Sequence, residues 1–221
     1  MYIPKQFKVT DKEEIFSFIE SNAFGQLISN SGGRLFSTHI PFLLSEDKTK
    51  ILGHLAKQNP QLSDLDGQEV LITLQGAHGY ISPSWYSAPG VPTWNYQAVH
   101  IYGRATISSN ANQLQMVVDK LTEKYESNFE KPWKTKYKSS MLGAITGVDI
   151  TITEIQCKYK LSQNRSSQDQ LNVIENLKSQ GSDSLAEVIK ILTGILILAL
   201  SISHIPLHLI RIQVWSPIKL R

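Results

Sequence analysis

The chain has 221 residues, 41% of them hydrophobic and 19% charged, with 13 glycines and 9 prolines. Such a chain can bury a sizeable core, which excludes a disordered, collagen-like or low-complexity protein. The single cysteine, Cys157, excludes a disulfide framework and a cysteine-based zinc site, so a reducing cytoplasm is the expected location. No apolar run follows Met1, so no secretory signal is expected. Net charge is +3, yet residues 1–185 carry 18 basic and 18 acidic side chains. The surplus comes from the end of the chain, where Lys190, Arg211, Lys219 and Arg221 face only Glu187. A neutral body argues against strong direct DNA binding, which depends on Lys and Arg neutralising phosphates.

Thr10-Asp11-Lys12-Glu13 fits a capping box, with Thr10 as cap and Glu13 returning to it, and Ile15, Phe16, Phe18 and Ile19 follow at helical spacing. A helix is predicted over 11–22. Residues 24–44 read as a β-hairpin about Asn30-Ser31-Gly32-Gly33, residues that tolerate positive φ. Strands are predicted over 51–56, 70–75 and 79–81, with one or two helical turns over 59–65 between the first two. Pro83, Pro89, Gly90 and Pro92 mark a loop, and a long strand follows over 94–107. Leu114, Val117, Val118 and Leu121 predict a helix over 113–125, residues 148–159 alternate as a strand, and 168–178 form a short amphipathic helix. Many short strands without regular β/α alternation predict a mainly β fold, a barrel with helical additions at the N-terminus and in the C-terminal third. P-loop and dinucleotide-binding glycine fingerprints are absent.

Polar groups cluster beside Gly, Pro and aromatic residues at strand ends between 36 and 104. Lys57, with free backbone N–H groups in the turn before Asn59-Pro60, suits a phosphate. Trp85, Tyr86, Trp94 and Tyr96 offer flat surface, and Thr38, Gln75, Asn95 and Gln97 offer hydrogen bonds to a planar ring. Taken singly, each is equally well a core or edge residue. Their clustering points to a ligand site. Metal binding is not expected: His39, His54, His78 and His100 form no local pair, and His204 and His208 flank Pro206 without a zincin glutamate. Lys158 and Lys160 could lower the Cys157 thiol pKa, but an inert strand-end cysteine is the expected reading. Lys131, Lys134, Lys136 and Lys138 with Trp133 and Tyr137 form the body's one stretch resembling a nucleic-acid contact, a solvated linker being the plainer reading.

Seven segments carry a family resemblance. They are Met1-Tyr2-Ile3-Pro4-Lys5, Thr38-His39-Ile40-Pro41, the run from Gly53 to Gln61, the run from Tyr80 to Tyr86, Val91-Pro92-Thr93-Trp94-Asn95-Tyr96, Val99-His100-Ile101-Tyr102-Gly103, and Lys160-Leu161-Ser162-Gln163-Asn164-Arg165. In this order they resemble the PaiB-type, FMN-binding negative transcriptional regulators of bacteria, over roughly residues 1–180. The resemblance implies an FMN-binding split β-barrel of the pyridoxamine-phosphate-oxidase kind, a homodimer with FMN at the subunit interface. It implies that Lys57, Gln58 and Asn59 hold the phosphate, that Thr38 and His39 line the isoalloxazine, and that Trp94 and Asn95 approach it from the second subunit. Catalytic residues stay unassigned. Family members are associated with repression of sporulation and degradative-enzyme genes. No helix-turn-helix pattern is present, so regulation through flavin redox chemistry or a partner is expected before operator binding. An FMN-dependent oxidoreductase or flavin reductase, acting on a small molecule or a haem-type ligand, is the alternative, and a cofactor-free DNA-binding repressor a third.

Residues 181–221 stand apart as an atypical tail. Residues 191–210 hold no Lys, Arg, Asp or Glu, long enough for a bilayer-spanning helix but interrupted by His204, Pro206 and His208. A membrane anchor, a buried element covering the barrel or a dimer contact, and an out-of-frame ending past about Lys190 all remain open.

Overall fold

Side-chain alternation along long antiparallel strands sets the architecture. The computed structural model describes residues 1–194 except 109 and 136–138. In chain order it contains β1 (Lys8–Val9), α1 (Lys12–Ser21), β2 (Phe24–Ser31), β3 (Arg34–Pro41), β4 (Leu43–Leu44), β5 (Lys50–Ala56), β6 (Glu69–Ile81), β7 (Thr93–Ser108), α2 (Ala111–Glu126), α3 (Ser139–Leu142), β8 (Ile145–Lys160), α4 (Ser167–Ser179) and α5 (Asp183–Thr193). The strands form one sheet in the order β3-β2-β6-β7-β8-β5-β4, with β1 added to β8. Every pairing is antiparallel. β3 and β4 end the path, so the sheet curls without closing, the split-barrel arrangement expected from the sequence.

The β2–β3 hairpin turns at Gly32 (φ 60°) and Gly33 (φ 78°), the two positive-φ positions a tight hairpin needs. β6 corrects the sequence reading: 70–75 and 79–81 belong to one strand, whose register against β7 shifts between Gln75 and His78. A bulge accommodates the extra residues that looked like a break. A second shift on β8 falls at Gly103 of β7, where an added Cβ would lie 2.6 Å from the Thr151 carbonyl oxygen. α1 begins one residue later than the capping-box reading. Asp11 is the cap and accepts from the Glu14 N–H at 2.8 Å, while Glu13 pairs with Lys48.

Leu27, Ile72, Leu74, Val99, Ile101, Val148 and Ile150 point to the barrel interior and are fully buried. α1 adds Ile15, Phe18 and Ile19 to this core, and α4 adds Val173, Ile174 and Leu177. α2 lies elsewhere, seating Val117 and Leu121 with Leu52 of β5 in a smaller cluster. α5 was not read from the sequence. It buries Leu185, Ala186 and Ile189 in the main core and ends at Gly194 in the left-handed region (φ 65°). The rest of the apolar stretch, from 195 onward, lies outside the described residues. Among the described residues no helix is long and apolar enough to cross a membrane.

Because Ile189 is fully buried, Ile189→Ala is expected to lower unfolding free energy by about 2–4 kcal/mol. Urea denaturation followed by tryptophan fluorescence measures this. A change under about 0.5 kcal/mol would mean that α5 is not docked in solution.

Candidate functional site

Gln61 organises the first part of the site. It sits in the 3₁₀ turn Pro60–Ser63, capped by Asn59, and is completely buried. Its Nε2 donates to the Leu27 carbonyl at 3.1 Å and to Ser29 Oγ at 2.8 Å, and its Oε1 accepts from Thr38 Oγ1 at 2.5 Å. Asn59 Nδ2 donates to Thr38 Oγ1 at 2.9 Å. A buried amide with unmet groups is costly, so this network ties the loop after β5 to β2 and to the edge strand β3. Sequence reading singled out Thr38 and Asn59 as site residues but gave Gln61 no role, although it ends the Gly53–Gln61 run, since nothing local to a glutamine after a proline marks it as buried.

Lys57 and Gln58 lie exposed in the turn leaving β5. The free N–H groups expected there are mostly used. Lys57 N–H donates to the Ala144 carbonyl and Asn59 N–H to that of Ala56, both at 2.9 Å. Gln58 N–H alone has no partner among the described residues. Lys57 also borders a cavity of about 660 Å³ between the start of α2, the end of β7 and the 142–146 segment. Its lining includes Ser108, Asn112, Gln115 and Thr146, and among the described residues Lys57 is its single charged side chain.

His39 lies on the other face of β3. Ladder register aligns it in one row with Gln26, Thr73, His100 and Gln156 across five strands. Gln26 Nε2 lies 3.1 Å from His39 Nε2, and the His39 ring tilts against Phe24. His100 Nδ1, like His54 Nδ1, is buried without a hydrogen-bond partner among the described residues. Burial, reinforced by the nearby Met1 ammonium, holds His100 below the usual histidine range. Exposed apolar side chains mark this edge of the face: Leu35 on β3 is 75% exposed and Phe24 on β2 60%. His54 lies apart, beneath α2, and burial lowers its pKa.

Trp94 and Asn95 do not join this group within one protomer. Trp94 stands six residues before His100 on β7, roughly 20 Å away along the strand. Its indole is exposed and meets Tyr80 edge-on. Asn95 is buried, and its amide donates to Ser162 Oγ at 2.7 Å. Of the other candidates, the aromatic Trp85 and Tyr86 are half-buried against the core, and the amide-bearing Gln97 points inward. Cys157 lies on the inner face of β8, where burial first and the Glu14 carboxylate second push its thiol up to about 12. Lys158 and Lys160 lie on the opposite face of that strand, so they cannot activate the thiol. Trp133, Lys131 and Lys134 are exposed, while Lys136, Tyr137 and Lys138 lie outside the described residues.

Gln61→Leu is expected to destabilise the fold by about 2–3 kcal/mol, because Ser29, Thr38 and the Leu27 carbonyl lose a buried partner. Lys57→Ala, an exposed change, is expected to stay within about 0.5 kcal/mol. Parallel denaturation of the two variants measures the contrast.

A family model described as "Putative FMN-binding domain" matches residues 1–154. The chain is 41% identical over 200 residues to the protease synthase and sporulation protein PAI 2 of Bacillus subtilis, covering 87% of this chain and 96% of that protein. The flavocytochrome Anf3 of Azotobacter vinelandii superposes with a TM-score of 0.58 at 16% identity, over 72% of each chain. The FAD and haem binding protein of Mycobacterium smegmatis does so with a TM-score of 0.58 at 12% identity, over 74% of this chain and 78% of that one. At such low identity the two structures speak for the fold alone. The chain thus belongs to the FMN-binding domain family, as a PaiB-type member of split-barrel fold whose cofactor is FMN.

Proposed function

We propose that this chain works as a homodimer that binds FMN across its subunit interface and acts in the cytoplasm as a negative regulator of transcription. The outer face of the sheet carries the reading. It holds the row from His39 to Gln156, an unpartnered buried histidine nitrogen, and an edge strand tipped with exposed Leu35. Edge strands of this kind invite pairing unless covered, and an orphaned polar atom needs a ligand or partner. A second copy supplies both, and its Trp94 provides the flat surface that one protomer keeps roughly 20 Å away.

The residues fit FMN. Among the described residues Lys57 is the one charge lining this cavity, and with the spare Gln58 N–H it suits the phosphate. Thr38, held by Asn59 and Gln61, and His39, held by Gln26, stand on opposite faces of the same strand. In this reading His39 meets the isoalloxazine edge, while Thr38 and Asn59 fix the loop that carries Lys57 and Gln58. Asn95, buried and bonded to Ser162, makes no contact with FMN in this reading. Bound FMN supplies one- or two-electron transfer. With residues 1–185 neutral in charge, flavin state or a partner protein conveys regulation, and operator phosphates are not its main contact.

Purified protein is expected to keep flavin absorbance after desalting. Lys57→Ala should weaken FMN binding about tenfold to a hundredfold, the scale of a lost charged hydrogen bond, as read by fluorescence titration. Unchanged affinity would remove Lys57 from the phosphate site. Leu35→Asp is expected to convert the dimer to monomer in light scattering and to lower FMN retention, with far-ultraviolet circular dichroism unaltered. A dimer that survives this change would place the interface elsewhere.

A further inference from the structure

The end of β8 and the turn after it gather three cations, Lys158, Lys160 and Arg165, beside one carboxylate, Asp169, whose pKa is lowered first by its Ser87 N–H bond and last by Arg165. Lys160 Nζ donates to Thr93 Oγ1 and, at 2.9 Å, to the Trp94 carbonyl. Lys158, 7% exposed, donates to the Tyr2 carbonyl at 3.1 Å, with its ammonium 5.1 Å from the Tyr96 ring centre. Arg165 lies over the Tyr86 ring at 4.1 Å. None of the three forms an ion pair among the described residues. The neighbouring carboxylate, Asp169, spends Oδ1 on the Ser87 N–H at 2.7 Å and on the Ser87 hydroxyl at 2.9 Å. Burial, then Lys158 and Arg165, lowers the Lys160 pKa, as expected of cations crowded together.

The backbone here is held in a costly shape. Ser162 adopts a left-handed conformation (φ 63°), uncommon for a residue with a Cβ. Buried side chains enforce it. Asn95 Nδ2 donates to Ser162 Oγ, and Gln170 Nε2 donates to the Ser162 and Arg165 carbonyls, each at 3.1 Å. Arg165 N–H closes the turn on the Ser162 carbonyl at 2.9 Å. Strain maintained by buried polar bonds concentrates where a site must be preformed. Beside the turn, Trp94 (55% exposed) and Tyr80 (46% exposed) offer bare aromatic surface.

We propose that Lys160 and Arg165 form a preformed subsite for the anionic group of a planar substrate, whose ring lies on Tyr80, next to the flavin-facing Trp94. This subsite is separate from the cofactor phosphate site at Lys57. In one protomer the patch is an open face. The second copy supplies its far wall, and to that extent the inference rests on the dimeric, FMN-binding reading. The shared chemistry is an aromatic ring bearing a carboxylate or a phosphate.

The test uses FMN-loaded protein whose mass has been fixed by light scattering. It is titrated calorimetrically with 2-naphthoate, 2-naphthyl phosphate and the neutral 2-naphthamide. At least one anion should bind ten times or more tightly than the amide, and more weakly as salt rises. The better-bound anion tells which group the subsite prefers. Arg165→Gln should weaken that anion about tenfold and Arg165→Lys less, both keeping FMN through desalting. Equal binding of anion and amide, no binding of either anion, or an unaltered affinity in Arg165→Gln overturns the proposal. So does loss of FMN from Arg165→Gln, which would assign the turn to the cofactor. A monomeric chain, or one without FMN, that still binds the anion through Arg165 sinks the dimer or cofactor reading and keeps this one. A flavin-loaded dimer that ignores both anions does the reverse.

Discussion

Each side chain on a strand has one of two faces, and in this protein that constraint distributes nearly every function. β6, β7 and β8 run side by side for most of their length, so one register fixes which residues enter the core and which face outward. Val99 and Ile101 go in, while His100 and Tyr102 between them go out. On β8 the same rule parts Cys157 from Lys158, leaving an inert thiol inside and an ammonium on an aromatic ring outside. The two register shifts, at Gln75/His78 and at Tyr102/Gly103, let the ladder continue past points where it would otherwise break.

Polar groups inside this frame serve mainly to hold loops. Gln61 anchors the segment bearing Lys57 and Gln58 to the edge strand, while Asn95 and Gln170 anchor the turn bearing Lys160 and Arg165. In both places a buried amide, costly if left unpaired, immobilises a loop whose cations face outward. The two loops lie at opposite ends of β8, since β5 ends beside the start of that strand.

Most elements were legible in the sequence because their signals are local. Apolar spacing marked α1, α2 and α4, alternation marked β7 and β8, and Gly32-Gly33 marked the hairpin turn. The misreadings arose where a partner distant in sequence decides. Thr10 and Asp11 are both good caps, and choosing Asp11 frees Glu13 to meet Lys48, 35 residues away. Residues 76–78 looked like a break because a bulge is defined only against the paired strand. α5 was hidden in a stretch whose composition resembled a tail, and its docking depends on a core assembled from elements far earlier in the chain.

For the site, the sequence alone sufficed for the family, since its motifs are contiguous runs whose order survives without coordinates. It also offered the groups proposed for the site: Lys57 in a turn, histidine and threonine on one strand, and tryptophan at the start of a long strand. Tertiary structure decided how these groups relate. It bound Thr38 to Asn59 and Gln61, aligned His39 with His100, buried Asn95 and kept Trp94 at the far end of β7. The reason is that sequence specifies which groups are present and their local spacing, whereas strand register and face, set by pairing across the whole sheet, determine which of them can meet.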